Sequence, residues 1–387
     1  MRPEVAQRES KSAKIKFNQP ELVGTELKYI TQALGSGHIA GGGEFTGRCQ
    51  QLLEQELGVA RAFLTTSCTA ALEMAALLLA FEPGDEIVIP AFTFVSLANA
   101  FALRGAVPVF ADVRADTLNI DESKLSERLT SKTRAVAVMH YAGIACEMDS
   151  IQQLLSRRNI VVIEDNAHGL FGSYDGRPLG SFGGVATQSF HQTKNFTCGE
   201  GGALLINDRE LIARAEIIWE KGTDRLRFLR GQVEKYTWVD LGSSYLPSEI
   251  LAACLWAQLE ARKEIAEQRS QRWNHYHSNL QEWAREQGVQ LPAVPTRAGN
   301  AFHLYYLVLP SRSTRDELID YLSAREIETA FHYVPLHLSK MGRAFGGSPG
   351  QCPVAEALSE RLLRLPFHTR LTRADQDRVI EAVTSFR

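Results

Sequence analysis

The chain has 387 residues, more than one compact core usually absorbs, so its length is that of about two domains and a small disulfide-stapled scaffold is excluded. Hydrophobic residues make up 44% and charged residues 22%, the balance of a folded globular protein and not of a disordered chain or a coiled coil. The 42 Lys and Arg against 45 Asp and Glu leave a formal charge of -3. That gives no global field for a polyanion, so no nucleic-acid partner is expected and any anionic ligand must be held locally.

In chain order, residues 1–14 are polar and aperiodic and read as a loose arm without an apolar signal segment. An apolar stretch such as residues 75–81 is far short of the ~20 residues of a membrane span, which points to a cytoplasmic protein with no membrane partner. Over 15–247, short apolar runs at 61–64, 86–90, 107–111, 135–140, 160–164, 185–190 and 203–206 alternate with helical patterns such as 69–80. That rhythm predicts a large α/β domain with a mainly parallel seven-stranded sheet, whose strands are apolar throughout because both faces are covered.

A helical pattern from Ser248 toward Trp273, with Ile250, Leu251, Cys254, Leu255, Leu259 and Ile265 near the 3.6 period, links this to a smaller α+β domain, the two together spanning 248–387. In the smaller unit the sequence predicts a strand at 302–309, a helix opened by a Thr314/Glu317 capping box, a strand at 328–334, and a helix opening at Thr372 with Asp375 at the box position. Six scattered cysteines, with no CxxC pair and no zinc-type histidine spacing, read as reduced thiols, and no metal site is expected.

In an open α/β sheet, ligands gather outside the carboxyl ends of the strands. After the first run come Ser67, Cys68, Thr69 and Ala70 at the start of a helix, either a phosphate cup or an ordinary cap. After the run at 160–164 stand Glu164, Asp165 and then His168; a carboxylate there is costly unless it meets a cation or donors, so it is functional or part of a structural ion pair. Beyond Ser189 comes Lys194, which is a solvated loop charge or an amine whose pKa burial lowers for Schiff-base chemistry. Glycines at 199, 201 and 202 let its loop turn tightly. Phe92 and Phe94 leave another strand end, as core or as an aromatic platform. Together these parts meet what pyridoxal phosphate (PLP) requires: a phosphate cup, an acid for the pyridine nitrogen, a platform for the ring and a lysine.

At these residues the sequence resembles the nucleotide-sugar aminotransferases of the DegT/StrS type, which have the fold-type I, aspartate-aminotransferase-like architecture. Gly-Ser-Gly-His-Ile (35–39), Ser-Cys-Thr-Ala-Ala-Leu (67–72), Pro-Ala-Phe-Thr-Phe-Val-Ser (90–96), Glu-Asp-Asn-Ala-His-Gly (164–169) and Ser-Phe-His-Gln-Thr-Lys-Asn (189–195) fall in that family's order and spacing. Residues 220–225 and 230–246 resemble the branch that makes dTDP-4-amino-4,6-dideoxygalactose from dTDP-4-keto-6-deoxyglucose, with glutamate as amino donor.

The resemblance implies that Lys194 bears the cofactor and then moves a proton, that Asp165 pairs with the pyridine nitrogen, and that Phe94 stacks on the ring. It places His168 near the phenolic oxygen, and Ser189 with Ser67, Cys68, Thr69 and Ala70 on the phosphate. It also implies a homodimer with sites at the interface, where Ser244 stands in for an asparagine that many members contribute from the partner subunit.

The stretch Arg225, Arg227, Arg230, Lys235, Tyr236 and Trp238 is expected either to meet the substrate's diphosphate or nucleotide or to be a solvated charged loop. His332 and His337 are further substrate-side candidates. Other acceptors, a 4-keto-pentose or a 3-keto-hexose, fit the same resemblance. Relatives that dehydrate the sugar carry histidine in place of the lysine, so Lys194 favours transamination. A nicotinamide enzyme would show G-x-G-x-x-G after an early strand, and Gly35, Gly37 and Gly41 have the wrong spacing.

Overall fold

The large sheet is built from seven short strands: β1 (Arg61–Thr65), β2 (Glu86–Pro90), β3 (Val107–Ala111), β4 (Thr133–Met139), β5 (Val161–Asp165), β6 (Val185–Ser189) and β7 (Gly202–Ile206). The structure, a computed structural model, describes residues 14–386; residues 1–13 of the expected arm lie outside them. The strand order is β1-β7-β6-β5-β4-β2-β3, with β7 antiparallel to both neighbours and every other pairing parallel. Six strands therefore end along one edge of the sheet, and β7 begins there.

Side chains alternate between two covered faces, which is why the strands are apolar in their middles, β6 with its buried Thr187 and Gln188 excepted. Along β1, Phe63 enters one core while Ala62 and Leu64 enter another; along β2, Ile87 and Ile89 share the core of Phe63 while Val88 faces away.

The pattern from Ser248 forms two helices, Glu249–Glu260 and Arg262–Gln287, broken at Ala261. The first packs on helices Glu26–Gly35 and Glu44–Leu57 beside the sheet, with Glu249 accepting hydrogen bonds from the Gly43, Phe45 and Thr46 N–H groups at 3.1, 2.7 and 3.0 Å. Ile265 still belongs to that core, whereas Trp273 belongs to the next, so the change between units falls inside the long helix. The second core also takes Ile15, the antiparallel pair β8 (Tyr306–Val308) and β9 (Leu362–Arg364), and helices Arg312–Ser323 and Arg373–Ser385.

Three local expectations for this unit need correction. Ser311, not Thr314, caps its helix: Ser311 is extended and its hydroxyl accepts the Thr314 N–H at 3.1 Å, so Thr314 and Glu317 lie inside the helix. The strand predicted at 302–309 is paired only over Tyr306–Val308. Residues 328–334 form no strand; Ala330 alone bridges Arg364, and the segment then crosses to the large sheet, where the Leu336 N–H meets the Ala91 carbonyl at 2.8 Å. The Thr372 cap is as expected, its hydroxyl accepting the Asp375 N–H at 3.0 Å. Among the described residues no helix is long and apolar enough to cross a membrane.

Candidate active site

A cavity of about 500 Å³ opens at the carboxyl edge of the sheet, walled on one side by strand ends and on the other by the second unit. Glu164 and Asp165 close β5, and alternation sends them to opposite faces. Glu164 is fully buried and accepts the N–H groups of Gly180, Phe182 and Gly183 at 2.7, 2.6 and 2.7 Å, with His140 Nε2 at 3.0 Å. It is an anchor for the following loop. Asp165 accepts the Ala167 N–H at 3.1 Å through Oδ1 and lines the cavity. Burial pushes its carboxyl pKa up, against the pull of that N–H and of Lys194.

Lys194 rides on the connection from β6 to β7. The Phe190 and Gln192 N–H groups bond to the Gly201 and Gly199 carbonyls at 2.8 and 2.9 Å, and the Lys194 N–H turns back to the His191 carbonyl at 2.9 Å. The side chain is half-buried and lines the cavity, and desolvation of its amine lowers the pKa to about 8, partly offset by Asp165 and Cys68. Asn195 ties the same loop to the second unit, donating to the Ala301 carbonyl at 2.7 Å and meeting His303 Nδ1 at 2.9 Å.

Beside this loop, just past the end of β1, Ser67 is extended and accepts the Ala70 N–H at 3.0 Å, starting helix Cys68–Leu78. A Cβ on Gly202 would lie 2.4 Å from Cys68 N and from Ser67 C, so only glycine lets β7 begin against this helix start. Thr69 Oγ1 meets Ser96 Oγ at 2.8 Å, and Ser189 stands at the end of β6. Ser67, Cys68, Thr69 and Ser189 line the cavity; Ala70 does not, and its N–H is taken by the Ser67 hydroxyl. Burial pushes the Cys68 thiol up to about 12, so it is a protonated packing group there. None of the six cysteines forms a disulfide.

His168 stacks on His303 with centroids 4.0 Å apart, and its Nδ1 is buried without a hydrogen-bond partner. His332 lies parallel to it at 6.3 Å and stacks on Tyr333 at 3.9 Å. Burial, reinforced by nearby cations, holds His168, His303 and His332 well below the ordinary histidine pKa, so all three are neutral at pH 7. Phe94, 56% exposed, forms part of the rim.

The structure therefore brings Ser67, Cys68, Thr69, Phe94, Asp165, His168, Ser189, Lys194 and His332 together. It adds Phe17, Ser96, His303, Tyr333 and Arg364, which sequence reasoning missed.

His337 requires correction as a substrate contact: it is fully buried, its Nε2 lies 2.9 Å from Glu356 Oε1, and its ring packs near Phe110. Ser244, Arg225, Arg230, Lys235 and Tyr236 stand outside the cavity of their own chain. Ser244 bridges Glu220, Arg225 Nη1 lies 3.8 Å from Glu220 Oε2, and Arg230 is forked onto Glu216 at 2.9 and 2.5 Å.

The residues present fit PLP. A desolvated lysine amine and a carboxylate with a free oxygen share one cavity, an unpartnered imidazole nitrogen lies beside them, and hydroxyls cluster at a helix start against which only glycine fits. The sequence profile of the DegT/DnrJ/EryC1/StrS aminotransferase family matches residues 20–384. The chain belongs to this family. The aminotransferase is 32% identical over 372 residues to the GDP-perosamine synthase of Caulobacter vibrioides, covering 96% of this chain and 97% of that one. Among solved structures it superposes on the aminotransferase TlmJ of Streptoalloteichus hindustanus with a TM-score of 0.88 at 31% identity, over 96% of this chain and 98% of TlmJ. Spr1654 of Streptococcus pneumoniae in its PLP form superposes at 0.88 with 26% identity, over 97% and 98% of the two chains. The cofactor of this aminotransferase is PLP.

Proposed function

We propose that the aminotransferase moves the amino group of L-glutamate to the C4 ketone of dTDP-4-keto-6-deoxyglucose, giving dTDP-4-amino-4,6-dideoxygalactose by a ping-pong sequence. The observation that carries the transamination reading is Lys194, an amine desolvated in one cavity with Asp165 where sugar-dehydrating relatives carry histidine. The dTDP and galacto assignments rest on the resemblance of residues 220–225 and 230–246.

When bound, the cofactor supplies an electron sink for exchanging an amino group between two carbonyl carbons. Lys194 would hold it covalently and, when freed, would take the proton from the donor's Cα and deliver it to C4′ of the cofactor; its lowered pKa keeps a usable share of neutral amine near pH 8. Asp165 keeps the proton on the pyridine nitrogen. Ser67, Thr69 and Ser189 hold the phosphate, Phe94 covers the ring, and the free Nδ1 of His168 faces the phenolic oxygen.

The working unit is proposed to be a homodimer in which Ser244 and the exposed stretch containing Arg225, Arg230, Lys235 and Tyr236 serve the partner's cavity. In support, these residues stand outside their own, and Trp238, Val239 and Leu241 beside them are 76%, 51% and 52% exposed, an apolar surface suited to a second copy.

The identity to GDP-perosamine synthase favours a second reading, a GDP-linked keto-sugar as acceptor. Comparing kcat/KM for the dTDP- and GDP-4-keto-6-deoxyhexoses, with NMR of the product, separates the two. The first reading expects at least a tenfold preference for dTDP and an axial amine at C4. A preference for GDP selects the second.

A further inference from the structure

Residues 301–303 belong to no helix or strand, yet every backbone N–H and carbonyl among them has a partner. The Ala301 and His303 N–H groups donate to the Gly143 and Ala142 carbonyls at 3.0 and 3.2 Å, and the Phe302 N–H donates to Asn300 Oδ1 at 2.7 Å. Two side chains take the carbonyls. Asn195 Nδ2 donates to that of Ala301 at 2.7 Å, while Arg269 donates through Nε to that of Phe302 at 2.8 Å and through Nη2 to that of His303 at 2.5 Å. Phe302 is held at a φ of 51°, in the left-handed region that residues other than glycine rarely occupy. The segment also lies tight against Gly143, where a Cβ would come within 2.8 Å of Ala301 Cβ and 2.9 Å of the His168 carbonyl oxygen.

Arg269 stands on the long helix Arg262–Gln287, four residues after Ile265 and four before Trp273. It therefore shares their buried face, at the point where the helix passes from the core of the first unit to that of the second. An apolar residue is the expectation there. Instead a guanidinium is buried with its Cζ 4.8 Å from the Phe367 ring centroid, and burial together with Arg272 lowers its pKa with no carboxylate opposing the shift. Such a charge is costly to keep, and the Phe302 and His303 carbonyls solvate it in place of a counter-ion. The planar fork of arginine fixes both carbonyls in turn.

This clamp reaches the cavity at two points. The His303 ring stacks on His168 with centroids 4.0 Å apart. The Ala301 carbonyl can only accept, so the Asn195 amide nitrogen must face it, and Asn195 Oδ1 accepts the Nδ1–H of His303 at 2.9 Å. Asn195 adjoins Lys194 in the chain. Neither Arg269 nor Asn195 lines the cavity, so neither touches a ligand held there.

We propose that Arg269 is a positioning residue for the reacting groups: through residues 301–303 it holds His303 against His168 and, together with Asn195, holds the loop of Lys194. This rests on the reading of Lys194 as the residue that bears the cofactor.

The test follows the donor half-reaction of the PLP holoenzyme by stopped-flow absorption in wild type, R269K, N195A and the double variant, with thermal melting recorded for each. Lysine keeps the charge but cannot bridge two carbonyls as a fork. R272K is the control, because Arg272 on the same helix also donates to carbonyls, those of Leu371, Gln268 and Thr369, none of which belongs to the cavity segment. R269K and N195A are each expected to slow conversion at saturating glutamate on the order of tenfold, with the half-saturating concentration changing by less than about threefold. R272K is expected to stay within about twofold of wild type in both, whatever its melting temperature. Because Arg269 and Asn195 hold one segment, their losses should not multiply, and the double variant is expected within about threefold of the slower single variant.

A second measurement needs no variant. In the wild-type holoenzyme, amide hydrogen exchange over 301–303 is expected to be slowed on the order of 10³-fold relative to an unstructured chain, although no helix or strand protects it. The inference is overturned if R269K converts glutamate as fast as wild type, if R272K loses as much as R269K, if the losses multiply in the double variant, or if residues 301–303 exchange like an open loop. Should R269K yield no folded holoenzyme, N195A and the exchange measurement decide in the same way: a full-speed N195A or open-loop exchange overturns the inference. A Lys194→Ala enzyme that still captures PLP covalently would instead overturn the assignment of Lys194 itself.

Discussion

Glu164 and Asp165 are adjacent carboxylates, both nearly inaccessible, and their partners assign them different duties. Three backbone N–H groups and His140 surround Glu164, so Glu164→Ala leaves buried donors unpaired and is expected to cost roughly 3–5 kcal/mol, read by chemical denaturation. Asp165 has one backbone donor, which asparagine can keep. Asp165→Asn is expected to melt near wild type but lose on the order of 10²- to 10³-fold in kcat, because the cofactor's ring nitrogen loses its ionised partner. The reverse pattern, an active Asp165→Asn and a harmless Glu164→Ala, would contradict both assignments.

Lys194 carries a pH prediction with a definite sign. Its pKa is lowered to about 8, and only the neutral amine attacks a carbonyl, so covalent capture of PLP by the apoenzyme should rise about tenfold per pH unit below 8 and level off above it. A rate still climbing at pH 10 would show an ordinary, solvated lysine. These residues were legible because Glu164 and Asp165 close an apolar run and Lys194 stands in the short loop after the next strand. Arg364, His303 and Tyr333 were not, since they reach the cavity only through the docking of the second unit. A signal for Arg364 was nevertheless present: an arginine inside Leu362-Leu363-Arg364-Leu365 is a charge within an otherwise apolar strand.

At the scale of elements, the proposed phosphate cup depends on how closely β7 meets the start of helix Cys68–Leu78. Ser67→Ala removes the cap and should cost about 1 kcal/mol of stability. Gly202→Ala acts differently, because its Cβ would sit 2.4 Å from Cys68 N and force the strand off the helix start. It is expected to weaken PLP binding at least tenfold in equilibrium dialysis, and unchanged affinity would remove the cup from this place.

Most sheet strands were legible from continuous apolar runs, the mark of strands buried on both faces. The segment 328–334 misled for a related reason. Its β-branched and aromatic residues resemble a strand, yet His332 and Tyr333 are there to wall the cavity, and tertiary contact overrides local preference. The break at Ala261 was hidden because helical periodicity continues on both sides of it.

For the whole molecule, the cavity belongs to neither unit alone: strand ends supply Asp165, Ser189 and the Lys194 loop, while the second unit supplies His303, His332, Tyr333 and Arg364, and Phe17 joins from the chain's beginning. The proposed dimer extends this sharing to a second chain. Mixing Lys194→Ala with Ser244→Trp subunits should restore up to a quarter of wild-type activity, since a mixed dimer keeps one site with both native residues; no recovery on subunit exchange would contradict an exchanged Ser244.

The central claim is amino transfer from glutamate to a nucleotide keto-sugar in two separable steps. The most direct measurement converts the holoenzyme with ¹⁵N-glutamate, removes the donor, adds dTDP-4-keto-6-deoxyglucose and follows both the cofactor absorption and the label. The account predicts that the original absorption returns and that one ¹⁵N per active site appears at C4 of the sugar. Failure of glutamate to change the absorption, or a return of absorption without label in the sugar, would contradict it.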